Sequence, residues 1–434
     1  FNERLSDSDP SVILPAINSL AEIGAPAVPF LTESLKNPKA RYWASLALAE
    51  IGPAAAPAVG LLKEAAQQGA IEERMQAILA LGAIGAPAAE AADVLIKNLS
   101  DPEGAVRFAS AYALGQIRAV AADAALEQAA ADPDSFLAAI ASWARARIHP
   151  DNKDLVGTAL KTLSAGLTSD RANTRSGAVS ALTDLLESLD DTEEQALAEK
   201  FVTMLEDPVP GVRGSAAAGL ARLGSNGVAA LERALGNPDL RPIATQLLAS
   251  AGAASKPAVD GLIDLLENGT MEARGDAAVA LAAIGPNAAE AVAALQKIVA
   301  APIVAAEDSA GLRYTSAYAL GRIGTAAAPA VEALQALSTA DDPLMATVAV
   351  WALLKIEPTR AERFETAVPL LRRALRGDAE LVRLEAAVAL GDIGPKAASA
   401  IPILELVAED DPVDGVRKAA QTALGRIKGT PSTP

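Results

Sequence analysis

Leu312-Arg313-Tyr314-Thr315-Ser316-Ala317-Tyr318-Ala319-Leu320-Gly321-Arg322-Ile323-Gly324 decides the fold, because its frame returns along the whole chain. Val106-Arg107…Leu114-Gly115-Gln116-Ile117 and Val382-Arg383…Leu390-Gly391-Asp392-Ile393-Gly394 are two further clear copies. Aligned on the Arg position, the anchors are Ile13, Arg41, Arg74, Arg107, Ala138, Arg175, Arg213, Arg241, Arg274, Arg313, Ala346, Arg383 and Arg417. That makes thirteen units at a spacing near 34 residues, the mark of a solenoid in which each unit rests on its neighbours. Three positions after each anchor stands Ala or Ser, and seven after stands Leu, except at Arg145. Ten after stands Ile or Leu, except at Ala251. Offsets of 3, 7 and 10 share one face of an α-helix, so every anchor opens an amphipathic second helix.

Between second helices lie a Gly-led turn and another apolar-periodic segment, such as Ala27–Leu35, Ala88–Leu99, Pro257–Leu266 and Ala367–Leu375. Gly24, Gly52, Gly85, Gly285, Gly324 and Gly394 stand where a helix ends and a left-handed cap is expected. Asp-Pro pairs at Asp101, Asp132, Asp207, Asp342 and Asp411 are expected to start the following second helix, Asp capping and Pro fitting the first turn. No strand signal appears. The turns lengthen near Leu189–Thr192 and Ala300–Ala310, and 429–434 reads as a disordered tail.

A longer period overlies the first. Pro57-Ala58-Val59 recurs as Pro257-Ala258-Val259, and Ser110-Ala111-Tyr112-Ala113-Leu114-Gly115 as Ser316-Ala317-Tyr318-Ala319-Leu320-Gly321. Trp143…Ile148-His149-Pro150 recurs as Trp351…Ile356-Glu357-Pro358. Residues 1–428 thus read as one continuous solenoid containing a duplicated six-unit block, about 10–208 and 210–417, with two copies of whatever surface the block offers.

These residues resemble HEAT repeats of the phycobilisome-lyase-like subclass, over essentially the whole chain. The resemblance implies an all-α, right-handed α-α superhelix of thirteen helical hairpins, with the Arg-bearing second helices on a concave side that receives partners. It also implies several functions: protein scaffolds and transport receptors, bilin lyase subunits, a di-iron hydroxylase and DNA glycosylase-like proteins. A di-iron centre needs several His-Glu pairs, and this chain has one histidine, His149.

Composition narrows the rest. The core is built from Ala, Leu, Ile and Val, since half the residues are apolar and only 3% aromatic. A net charge of −17 opposes nucleic-acid backbones and anionic membrane surfaces as partners and biases toward a basic protein or peptide. The absence of Cys removes disulfides, thiolate catalysis and zinc-thiolate sites without fixing a compartment, cytoplasmic or exported after processing. No run approaches the 18 uninterrupted apolar residues of a membrane span. The chain begins at Phe1 rather than Met, as a processed precursor or a trimmed piece would.

All seven Trp and Tyr residues fall on second helices. At about 100° per residue the buried offsets centre near 300°, whereas offsets 1 and 5 fall near 100° and 140°, away from the core. Tyr42, Phe108 and Tyr314 hold offset 1; Tyr112, Trp143, Tyr318 and Trp351 hold offset 5; Trp43 sits on the flank. Two equivalent exposed aromatic patches are therefore expected to bind a partner, because exposed aromatics mark interaction surfaces. The competing reading is that crowded second helices make these rings bury one another. The Arg column is expected to pair with turn aspartates as a ladder. Arg145, Arg147 and His149 form a small basic group that could bind an anion or a partner carboxylate; the favoured reading is that Arg145 reaches solvent through a local shift. His149 reads as a helix cap, and the runs Asp190–Glu194 and Glu409–Asp414 as solvated caps without the pattern of a calcium loop.

No catalytic, cofactor or metal residue is identified. The favoured reading is a non-enzymatic scaffold that holds a protein or peptide on its concave face. A bilin lyase or isomerase-like subunit, and a spacer module of a larger protein, stay open beside it.

Overall fold

The computed structural model describes residues 10–301 and 309–429. The expected disordered tail after Gly429 and most of the long turn at Ala300–Ala310 lie outside them. Within them the chain is α-helical with short 3-10 segments and without strands. Every anchor falls in a second helix: Pro10–Ile23, Pro38–Ile51, Ile71–Ile84, Gly104–Ile117, Ser135–Ile148, Ala172–Thr183, Pro210–Arg222, Arg241–Ala251, Met271–Ile284, Ala310–Ile323, Pro343–Ile356, Glu380–Ile393 and Asp414–Lys428. A first helix lies between each pair, such as Val59–Ala65 or Ala361–Ala374. This is the repeated hairpin that the period predicts. Packing divides the chain into two compact units, Phe1–Gly219 and Leu220–Pro434.

Within each unit the second helices pack directly on one another. Small residues make this possible. An added Cβ at Gly82 would come within 3.1 Å of the Ala113 Cα, and at Gly391 within 2.9 Å of the Ala423 Cα. The Gly eight positions after one anchor thus faces the Ala six positions after the next, and two backbones approach without side chains between them. The Ala-Leu-Ile stripe is buried as expected; Ala44, Leu48, Leu81, Leu114 and Leu390 are all inaccessible.

The turns correct two expectations. Gly52, Gly285 and Gly394 have φ of 68°, 65° and 66° with ψ near −135°, a mirror-β conformation open only to Gly, rather than the left-handed helical cap. Of the five Asp-Pro pairs, only Asp342 is the direct cap, accepting from the Leu344 and Met345 amides. Asp101, Asp132, Asp207 and Asp411 each accept the amide two residues on, which forms a tight turn just before the helix. The acidic run at Asp190 does cap, as half of a reciprocal capping box with Glu193.

By length and hydropathy, Pro38–Ala65, Met271–Ala300 and Glu380–Asp410 are each long and apolar enough to cross a bilayer. Counting uninterrupted apolar runs misses them, because their Ala-rich windows carry only scattered polar residues. Each is a second helix, a 3-10 turn and a first helix rather than one α-helix. Between 44% and 61% of their apolar windows is buried against other parts of the chain.

Candidate functional site

The aromatic residues cluster as predicted but not with the predicted exposure. Trp143 stacks on Tyr112 at 5.1 Å between ring centroids with 7° between planes, and Trp351 stacks on Tyr318 at 4.9 Å and 12°. Trp143 is 0% and Trp351 8% accessible, so neither tryptophan is an exposed anchor. The wheel failed because it weighed burial only against a repeat's own first helix. Each second helix is also flanked by its neighbours, and the glycine before the ring opens a slot. Any side chain at Gly115 would meet the Trp143 ring and the Ala144 backbone, and one at Gly321 the Trp351 ring and the Ala352 backbone. Tyr42, Trp43, Phe108, Tyr112, Tyr314 and Tyr318 remain partly accessible. Tyr42 and Trp43 meet edge to face at 4.8 Å, apart from these two clusters.

A polar group edges each stack. In the first unit the Arg147 guanidinium lies 5.6 Å from the Trp143 ring and donates to the Gln116 side chain at 3.2 Å and to the Asp184 carbonyl at 3.1 Å. Gln116 in turn donates to the Tyr112 hydroxyl at 2.8 Å. Burial pushes the Arg147 pKa down and that of Tyr112 up. In the second unit Lys355 lies 5.8 Å from the Trp351 ring. Asp392 gathers three donors: Trp351 Nε1 at 3.1 Å, Lys355 at 3.0 Å and Arg426 at 2.8 Å. Asp184, Asp392, Arg147 and Lys355 each stand nine positions after the anchor of their repeat. Yet Trp143 Nε1 has no partner among the described residues, whereas its counterpart is satisfied. Sequence reasoning singled out Arg147 but missed Asp184, Lys355, Asp392 and Arg426, although their shared offset of 9 was a signal within reach.

Each cluster borders a groove on the second-helix face of its unit. The first-unit groove, about 420 Å³, is apolar. Met75, Leu79, Phe108, Tyr112, Phe136 and Ile140 line one side and Gly177, Ser180 and Ala181 the other. Phe108 and Phe136 meet edge to face at 4.8 Å. The second-unit groove, about 770 Å³, holds Tyr314, Tyr318 and Trp351 with Val279, Val388, Glu385 and the Asp392 cluster. There Tyr314 and Glu385, two repeats apart on either side of the helix Pro343–Ile356, both line the groove and influence one another electrostatically. Burial raises the pKa of both groups; the carboxylate raises Tyr314 further, while the hydroxyl pulls Glu385 back.

The Arg column is structural. Arg41, Arg175, Arg241, Arg274 and Arg383 donate to carbonyls ending the preceding first helix. Several also reach an acid of the next repeat: Arg41 to Glu73, Arg74 to Asp101, Arg175 to Asp207 and Arg383 to Asp411. Asp207 and Asp411 use both carboxylate oxygens for the arginine before and the backbone carbonyl for the arginine after, Arg213 and Arg417. Their arginines hold both carboxyls below the usual range.

Arg145 does not reach solvent as expected. It turns back to Asp123 at 3.1 Å and Glu127 at 3.2 Å on its own first helix, which neutralises a charge in a core position. His149, the C-terminal cap of its helix, meets the same Asp123 at 3.2 Å. Among the described residues no group of three His, Asp or Glu side chains has metal-binding geometry.

Hairpins stacked through their second helices, with an arginine ladder at the turns, match known proteins at this point. Residues 58–146 and 332–425 match HEAT repeats, and residues 312–339 match the PBS lyase HEAT-like repeat. The chain carries HEAT repeats. No curated protein matches it. Among solved structures, this HEAT-repeat chain is similar to Kap95p in a complex with RanGDP, at 13% identity and a TM-score of 0.59 over 98% of this chain and 66% of that one. It is likewise similar to Kap121p bound to Pho4p, at 14% identity and a TM-score of 0.57 over 98% of this chain and 52% of that one. Kap121p bound to Ste12p matches at 15% identity and a TM-score of 0.53, again covering 98% and 52%. The chain thus spans about half to two thirds of the length of these chains. At such identities the likeness concerns the fold: an all-α HEAT-type solenoid.

Proposed function

We propose that this chain is a non-enzymatic binding scaffold that holds a protein or peptide on its second-helix face. The observation that carries this reading is the first-unit groove: about 420 Å³ of apolar space flanked by partly accessible Phe108 and Tyr112 and walled by Gly177, Ser180 and Ala181. Rings with accessible faces beside small residues suit an apolar side chain entering from outside. The anchors are Phe108, Tyr112, Tyr314 and Tyr318; Trp143 and Trp351 support them from beneath, and Tyr42 and Trp43 extend the face toward the N-terminus. Kap121p solved with Pho4p and with Ste12p lends the reading support by analogy of fold only.

Gly177 provides a clean test. An added Cβ there meets nothing within 4 Å, so Gly177→Leu fills the groove without straining the helix. Selection from a random dodecapeptide library is expected to yield binders that the plugged variant loses at an unchanged melting temperature. A library that yields no binder, or binders indifferent to the plug in this groove and to Tyr318→Ala in the other, would overturn the reading.

A further inference from the structure

We infer that the second-unit groove recognises the cationic side chain of a Lys or Arg in a bound peptide, seated against Tyr314 and Glu385. The inference rests on the scaffold reading above and adds the chemistry of one subsite. The groove has two chemically distinct ends. Tyr314 and Glu385 lie in the second turns of their helices, and Asp392 lies seven residues beyond Glu385, about 10 Å further along. At the far end the bases are already engaged: Lys355 and Arg426 close on Asp392, and Arg322 reaches the Tyr318 hydroxyl at 3.4 Å. At the near end the charge is open. Among the described residues Glu385 pairs with no Lys or Arg, and its polar neighbour in the groove is the neutral Tyr314 hydroxyl.

Three observations point to a cation there rather than to an apolar group. A half-buried carboxyl without a counter-ion is incompletely satisfied, and an incoming ammonium or guanidinium completes it. Its raised pKa, due to burial, agrees. The same position in the first unit is Gly177, beside Phe108 in place of Tyr314, so the carboxyl and its neighbouring hydroxyl are particular to this copy. The surroundings suit a long basic side chain. Val279 and Val388, 49% and 39% accessible, offer a surface for its methylene stem, and the tyrosine rings a face for its charge. Asp276, one turn before Val279, is a second carboxyl with no cationic partner among the described residues, and a net charge of −17 draws a basic segment to the protein.

The test uses nonapeptide pools with one fixed central residue (Lys, Arg, Gln, Leu or Glu), titrated by fluorescence anisotropy against the full chain and against Glu385→Gln. The amide keeps the size and polarity of the side chain beside Tyr314, and a thermal melt verifies folding. The expected result is that Lys and Arg pools bind at least about tenfold tighter than Gln pools, and that Glu385→Gln erases the preference while leaving the Leu pool unchanged. Equal binding of Lys, Arg and Gln pools, a preference for Glu, or a Lys preference that survives Glu385→Gln would overturn the cation subsite and leave the scaffold standing. Failure of every pool to bind would overturn both.

Discussion

The two copies of the groove share a skeleton and differ in chemistry. Both place a Tyr-Trp stack in a glycine slot, with a base above the indole and an aspartate at the far edge. In the first unit the near end is Phe108, Phe136 and Gly177, an apolar trough. In the second it is Tyr314 beside Glu385, a polar pair on either side of the middle helix. What the two grooves share is what packing requires: the slot, the stack and the close approach of helices. What differs faces the groove, where the fold places no demand and a ligand would.

The shared skeleton gives the largest effects. Trp143→Ala and Trp351→Ala are each expected to destabilise their unit by about 3–5 kcal/mol, with Trp143, the more deeply buried, at the upper end. Urea denaturation followed by circular dichroism measures this. A loss under 1 kcal/mol at either ring would mean that the stacks are surface features and that the comparison is wrong. Gly115→Ala and Gly321→Ala are expected to cost about 1–3 kcal/mol each, because the added methyl meets an indole and a backbone rather than a flexible chain end.

The divergent part is tested by exchange. Phe108→Tyr with Gly177→Glu rebuilds the polar pair in the first unit and is expected to bring a Lys preference to a groove that lacked one. Anisotropy with the same peptide pools reads this in a background of Glu385→Gln. A double variant that folds but binds only apolar peptides would show that groove shape, not the pair, sets the choice.

Acid titration separates the two kinds of carboxyl. Asp207 and Asp411 are held low by Arg175 and Arg383, so they contribute stability above the unfolded carboxylate pKa, about 3.9, that is lost as pH falls through their folded values. Asp207→Asn and Asp411→Asn should lower the melting temperature at neutral pH and flatten the acid limb, equally in both units. Glu385 has the opposite sign. Its folded pKa is raised, so its contribution is complete below about 4.3 and is lost as pH rises through the folded value. Glu385→Gln should therefore leave stability at acid pH unchanged and raise it slightly at neutral pH, the smallest effect of the series. A fall at neutral pH would show a stabilising carboxylate and remove the open charge from the second groove.

The sequence by itself determined the helical hairpin and its thirteenfold repetition, because a stripe at offsets 3, 7 and 10 has only one way to be buried. It also located the aromatic positions correctly along the chain. Only the tertiary structure decided which rings are sealed, because lateral contacts between neighbouring second helices do not appear on the wheel of one helix. The same holds for Glu385 and Asp392. Each is an ordinary acid in its own repeat, and only packing brings Tyr314 from two repeats away, or Trp351, Lys355 and Arg426, to meet it.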